Sequence, residues 1–378
     1  MTAINIRQVS SRREKRKFLL FPWTIYRDDS LWVPPLLPDR KAAIDPEIGV
    51  FFQRGEAECF IAWRGNEPVG TICCAVDHKI NAECGRKDAI FGFFECIDNE
   101  AVAHTLLHHA ADWARTRGLT VLDGPFHLEY ENGYGILVEG CDRPPALMCG
   151  HTPEYYPAFF ENMGFYPARG QNIAFAIDIL EDRLALQKLA TIAERVKEKG
   201  RVKVRNADFD RWDEEVDNLH YLLNHALAHL PDHRPWLREV VDESFRPFRK
   251  LADPELILFA DVDGRSVGFL PALPNFNEVF QKVNGLRYPW NYVQLLVGMK
   301  GKFQSATVKS VLVLPEYWGA SGVSVALMDE MVKRLRVRGY EWVDLSLTSV
   351  DNPFTPDLLD RLGGKIYKRY QVYRMDLI

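Results

Sequence analysis

Hydrophobic positions along this chain switch period repeatedly, from two to between three and four and back. Glu58 to Trp63 reads as a strand, Arg64-Gly65-Asn66-Glu67 as a turn, and Val69 to Val76 as the return strand of a hairpin. Ala89 to Cys96 is an aromatic strand. Asp98 is placed to cap a helix that runs to Arg117 and stops at Gly118. A strand from Thr120, a short helix from Pro153 to Met163 closed by Gly164-Phe165, and a strand from Asn172 to Ile179 complete this half.

A charged helix, Glu181 to Lys199, ends at Gly200 and reads as a connector. The same order then recurs. A hairpin runs from Leu256 to Leu270 with its turn at Asp261 to Arg265. The Val308–Leu314 strand leads through Gly319 and Gly322 into a helix with Val325, Met328, Val332 and Leu335 on one face. Glu341 to Leu347 alternates, with Val343, Leu345 and Leu347 on one side and Trp342, Asp344 and Ser346 on the other. A short helix through Leu358 and Leu362 and a last strand or hairpin from Tyr367 follow. The expected fold class is α/β (α+β): two tandem domains, 1–180 and 201–378, joined by a helical connector at 181–200, each a mixed twisted sheet flanked by helices.

The strand–glycine–helix turn at Val313 to Val323 carries chemistry. A helix N-terminus offers unpaired N–H groups and partial positive charge, and glycine admits close approach of a phosphate. A pyrophosphate-bearing thioester such as coenzyme A is a natural guest. The first half has Asp98-Asn99-Glu100-Ala101 at the equivalent turn, and two carboxylates there repel a pyrophosphate. The donor is therefore expected in the second half.

The segment Val-Leu-Pro-Glu-Tyr-Trp-Gly-Ala-Ser-Gly-Val resembles the acyl-CoA loop of the GNAT acyltransferase superfamily. Trp318 stands where that loop has Arg or Gln, Ser321 at its first glycine and Val323 at its second. The resemblance implies that an acyl-CoA or acyl-carrier-protein pantetheine arm lies along Val311, Val313 and Leu314. It assigns Trp318, Gly319, Ala320, Ser321, Gly322 and Val323 to the phosphate turn. Leu359 falls where many members carry the tyrosine that protonates the leaving thiolate. Leu31-Trp32-Val33-Pro34-Pro35, Phe91 to Glu95, Leu137 to Gly140, Pro274 to Asn277 and Tyr367 to Tyr370 resemble a narrower group of tandem GNAT-like proteins, similar to bacterial ceramide synthases. That likeness implies direct transfer of a fatty acyl group from a thioester to an amine, with a lipid amine as one acceptor. A non-catalytic GNAT-like binding protein and an aminoacyl-tRNA-dependent transferase are the rival classes.

Glu95 ends an apolar strand, so desolvation can raise its pKa into the range of a general base. An ion pair is its ordinary alternative. Tyr155 contacts the acceptor and Tyr156 is a candidate acid, against core packing for both. Asp351 and Asn352 follow a strand and either meet the amine or cap a helix. Glu129 and Asn132 either line the acceptor cleft or belong to a solvated loop. Trp290 sits in the aromatic Phe276–Phe303 insertion, which either meets a membrane or an acyl tunnel mouth, or covers a sheet edge.

Composition narrows the setting. The chain has 378 residues, a net charge of −5 and 7 cysteines without a Cys-x-x-Cys pair, which argues against nucleic acid as partner, a disulfide framework and a zinc ribbon. His225 with His229, and His104 with His108, share helix faces but lack a third ligand, so no metal is expected. The opening residues show no signal-peptide pattern and no apolar run is long enough to cross a bilayer. A reducing cytoplasmic setting is expected, with peripheral contact at the inner membrane face as its extension.

Overall fold

The structure, a computed structural model, describes residues 3–128, 134–145, 147–180, 184–229, 236–246, 249, 252–351 and 363–377. Two mixed sheets form its frame. The first orders the strands Ile4–Gln8, Gly55–Arg64, Glu67–Asp77, Asp88–Cys96, Val121–Gly124, Tyr373–Asp376 and Tyr166–Pro167. The second orders Ile136–Glu139, Lys365–Gln371, Asn172–Asp178, Trp342–Ser349, Ser305–Val308, Arg265–Pro274, Ile257–Val262 and Val202–Asn206, with Leu312–Val313 paired beside Arg265–Pro274.

The hairpins read from the sequence are present, Gly55–Arg64 with Glu67–Asp77 and Ile257–Val262 with Arg265–Pro274. Each sheet also contains one parallel pair, and both pairs part after a few residues. In the first sheet the pairing runs from Asp88↔Val121 to Ile90↔Asp123. In the second it runs from Ser305↔Trp342 to Val308↔Leu345.

The sheets cross the boundary expected near residue 180. Asn172–Asp178 lies inside the second sheet, between Trp342–Ser349 and Lys365–Gln371. Tyr373–Asp376 lies inside the first, between Val121–Gly124 and Tyr166–Pro167. The final strand or hairpin expected from Tyr367 is thus two strands in two sheets, parted at Val372. The sequence permits this because Tyr373 and Met375 alternate with Arg374 and Asp376 and suit a sheet with one apolar face. Tyr373 stacks on Phe160 with ring centroids 5.1 Å apart, and Arg374 reaches Asp123 at 3.0 Å.

The helix Val323–Val337 covers one face of the second sheet. Gly268 leaves room for it: a Cβ there would meet Leu327 and Val323 side chains at 2.9 Å. The opposite face is roofed by Trp212–Ala226 and Arg238–Phe245. The connector helix, Leu184–Glu198, packs on Val323–Val337.

Candidate acyl-transfer site

Where the strands part, the two sheets differ. In the first, the gap is closed by backbone. Phe126 N donates to Phe91 O at 2.8 Å, and a Cβ on Gly92 would lie 1.6 Å from Phe126 O.

In the second sheet the gap opens onto a cavity of about 560 Å3, within the range of small-molecule pockets. Phe259, Phe269 and Leu273 form its floor on the sheet, and Leu219 and Leu223 its roof on helix Trp212–Ala226. Phe269 and Leu273 alternate along their strand with Gly268 and Leu270, which face the other helix layer. Lys309, Ser310 and Ser346 bring polar atoms to the end where the strands separate. Asn172 and Met148 also line it, so both halves of the chain build this wall.

A buried polar network lies behind that end. Lys309 Nζ donates to Ser346 Oγ at 3.0 Å and lies 3.6 Å from Cys149 Sγ. Ser346 Oγ donates to Asp344 Oδ2 at 2.6 Å, and Tyr367 donates to Asp344 Oδ1 at 2.7 Å. Asp344 is fully buried. Burial pushes its pKa up while the Lys309 charge and the hydroxyl donors pull it down. Burial likewise pushes the Cys149 thiol up, against Lys309. The arrangement holds an ammonium beside a site where carbonyl charge can develop, and a carboxyl reached through a hydroxyl that can take a proton.

The glycine turn is formed as a short 3-10 segment, Gly319–Ser321, ahead of helix Val323–Val337. Gly319 and Gly322 adopt φ of +67° and +76°, which glycine tolerates and other residues resist. Gly322 also touches the connector: a Cβ there would lie 2.3 Å from Val196 Cγ2. Trp318 folds back so that its indole N–H donates to Val313 O at 2.8 Å. The Trp318 side chain therefore serves the strand end, and its ring lies T-shaped to His229. Ser321 Oγ accepts the Val323 amide at 3.3 Å and donates to Tyr317 O. Val313, Leu314 and Val323 are buried and Val311 is half-buried.

No family model matches the chain. A bacterial ceramide synthase from Caulobacter vibrioides is 29% identical over 383 residues, covering 99% of this chain and 98% of that protein. Protein YghO of Escherichia coli K12 is 26% identical and covers 98% and 95%. Among solved structures, a tandem GNAT protein from the clavulanic acid biosynthesis pathway superposes with a TM-score of 0.58 at 14% identity, over 100% of this chain and 99% of that one. The chain shares the fold of these tandem GNAT structures. A GCN5-related N-acetyltransferase from Sphaerobacter thermophilus gives a TM-score of 0.54 at 14% identity over 99% and 96%.

Within this fold Glu95 and Tyr156 meet. Tyr156 donates to Glu95 Oε2 at 3.1 Å and accepts the Cys96 amide at 2.8 Å, while Tyr155 donates to Cys96 O at 2.9 Å. Burial raises the Glu95 pKa to about 7, against Arg40, Tyr156 and Tyr26, which lower it. Arg40 is itself buried over the Phe93 ring, and its Nε and Nη2 have no hydrogen-bond partner among the described residues. This cluster sits in the first sheet, under the N-terminal helices, and lines no part of the cavity.

Asp351 accepts the Gly170 amide at 3.1 Å on the surface and tethers that loop. Trp290 is 58% exposed and stacks on Tyr288 away from the cavity. Glu129, Asn132 and Asn352 lie outside the described residues, as does the short helix expected through Leu358. His225 Nδ1 bonds to Tyr221 O and His229 Nδ1 to Ala226 O, and the described residues include no group of three potential metal ligands.

Lys309, Asp344, Ser346, Cys149 and Tyr367 were not singled out from the sequence. One signal was present. A parallel strand with both faces covered is ordinarily apolar throughout, and Asp344 and Ser346 break that rule on one face.

Proposed function

We propose that this protein is a GNAT-type N-acyltransferase that moves a long acyl chain from a thioester donor to a lipid amine. The observation that carries this reading is the apolar cavity of about 560 Å3 whose polar end meets Lys309 and Ser346 at the parted strands. A thioester held at that end would point its chain between Phe259, Phe269, Leu219 and Leu223. Lys309 would stabilise the carbonyl oxygen as the amine adds. Ser346 would relay the amine proton to Asp344, and collapse would expel the thiolate, which takes that proton back from Asp344 through Ser346. Donor and acceptor held together need no covalent enzyme intermediate.

Support for a lipid amine, such as a sphingoid base, comes from the full-length likeness to a bacterial ceramide synthase. The turn at Trp318–Val323 has no basic side chain for a pyrophosphate. That favours a carrier-protein donor, which presents a single phosphodiester.

The test is thiol release from acyl-CoAs and acyl-carrier proteins of graded length, with a sphingoid base as acceptor. Acceptor-dependent release that grows with chain length is expected. Absence of release from every donor, together with absence of donor binding, would overturn the reading and favour a non-catalytic binding protein, for which the filled Trp318–Val313 contact speaks.

A further inference from the structure

The helix Pro289–Gly298 is apolar on the side that faces water. On its inward side Asn291 is 3% exposed and caps the helix's own first turn, accepting the Tyr288 amide at 3.0 Å and donating to Gln294 at 2.8 Å. Gly298 seats the other end, since a Cβ there would lie 2.6 Å from Val279 Cγ1. At about 100° per residue, Trp290, Val293, Leu296 and Val297 fall on one arc opposite Asn291. They are 58, 61, 67 and 67% exposed. A surface helix normally presents the reverse, with polar residues outward.

The chain segment that carries this ridge is basic. From Val279 to Pro315 the chain has no Asp or Glu, and it carries Lys282, Arg287, Lys300, Lys302 and Lys309. Lys282, Lys300 and Lys302 are exposed. The flanking acid, Glu278, is turned inward and accepts the Gln304 and Ser305 amides at 2.9 and 2.8 Å. Arg287 lies over the Trp23 and Tyr288 rings, 5.2 and 5.6 Å from their centroids. Aromatic rings and aliphatic tips flanked by the exposed Lys282, Lys300 and Lys302 match an anionic lipid surface. A second copy of the chain fits less well, because a two-fold contact would bring the exposed lysines of both copies to one interface. No described helix is long and apolar enough to cross a membrane, so the contact is peripheral.

We propose that Pro289–Gly298 docks flat on an anionic bilayer, with Trp290, Val293, Leu296 and Val297 entering the headgroup boundary. The inference stands on the ridge itself. It adds to the acyl-transfer reading a surface from which a lipid acceptor would be collected.

The experiment is flotation of the full chain with vesicles of phosphatidylcholine alone or mixed with phosphatidylglycerol, at low and high salt. A double variant, Val293→Ser with Leu296→Ser, is run alongside, with thermal unfolding as the control for folding. The wild type is expected to float with the anionic vesicles, less so in high salt, and the variant to lose about tenfold or more of that binding while keeping its Tm. Failure of the wild type to float, or equal flotation of the variant, overturns the proposal. So does a wild-type dimer in light scattering that the variant abolishes without any vesicle binding. Thiol release from a detergent-dispersed acceptor separates the two ideas. Release without flotation removes the docking surface alone, and flotation without release removes the acyl-transfer reading alone.

Discussion

Lys309 Nζ lies 3.0 Å from Ser346 Oγ, and this contact ties the residue after one strand of the parallel pair to the first residue beyond the other's pairing. It brings an ammonium, a hydroxyl and, through Ser346, the buried Asp344 to the same end of an apolar cavity. Lys309→Met removes the charge and keeps most of the stem. Acyl transfer is expected to fall about 10²-fold or more, the usual cost of one electrostatic donor at a reacting carbonyl. Thiol-release kinetics beside a Tm measurement checks this, and unchanged kcat would place the chemistry elsewhere.

Leu223 lies on the cavity roof. Leu223→Trp fills space that a long chain would use. Donor preference is expected to move toward shorter chains, with kcat/KM for the longest donor lowered roughly tenfold or more, since one methylene in an apolar pocket is worth about 1–3 kcal/mol. The comparison of short and long acyl donors carries the result, because a general folding defect lowers both.

Glu95 makes stability depend on pH in an unusual direction. Its carboxyl has a folded pKa of about 7 against an ordinary value of 4.5, so between those limits the native state binds more protons than the unfolded one. Stability therefore falls as pH rises through that window. Glu95→Gln cannot lose a proton, and its unfolding free energy is expected to show a flatter slope from pH 5 to 8, by on the order of 2–3 kcal/mol across the window. Urea titrations at several pH values check this. A catalytic base at Glu95 would show a further effect, a loss of thiol release in the Gln variant under conditions where it stays folded.

Arg374 faces Asp123 at 3.0 Å and Asp88 at 3.8 Å. Asp123 is buried enough that its pKa is raised despite the guanidinium. Arg374→Met leaves two carboxylates facing each other. A loss of about 3–5 kcal/mol is expected, the usual cost of stranding a buried charge. It should shrink in acid, where Asp123 takes up a proton. Chemical denaturation at neutral and acid pH gives the comparison.

Local rules read the elements well and the sheet partners poorly. The helix expected between Asp98 and Arg117 is Glu100–Thr116, capped by Asn99 in place of Asp98. Both hairpins were visible because turn residues and alternation lie close together in sequence. The placement of Tyr373–Asp376 was not, since nothing local to Val372 says that the next strand belongs beside Val121–Gly124. The site followed the same division. Glu95 is legible as a candidate because a carboxylate ends an aromatic strand, but its meeting with Tyr156, like that of Lys309, Ser346 and Cys149, arises only through contacts between distant segments. Trp290 stands out in the sequence because it sits in an aromatic insertion, and in the structure it is exposed and lines no part of the cavity.

The exchange of strands between the sheets fixes an order of events during synthesis. Arg374 and its partner Asp123 stand 251 residues apart, and Val121–Gly124 has no neighbour on that side until Tyr373–Asp376 arrives. A ribosome that has made the whole first half has still not made a finished sheet. Until the last strand emerges, the nascent chain carries an open edge that can pair with other chains. Cells that make this protein would then rely on holding that edge apart for the time it takes to translate everything between.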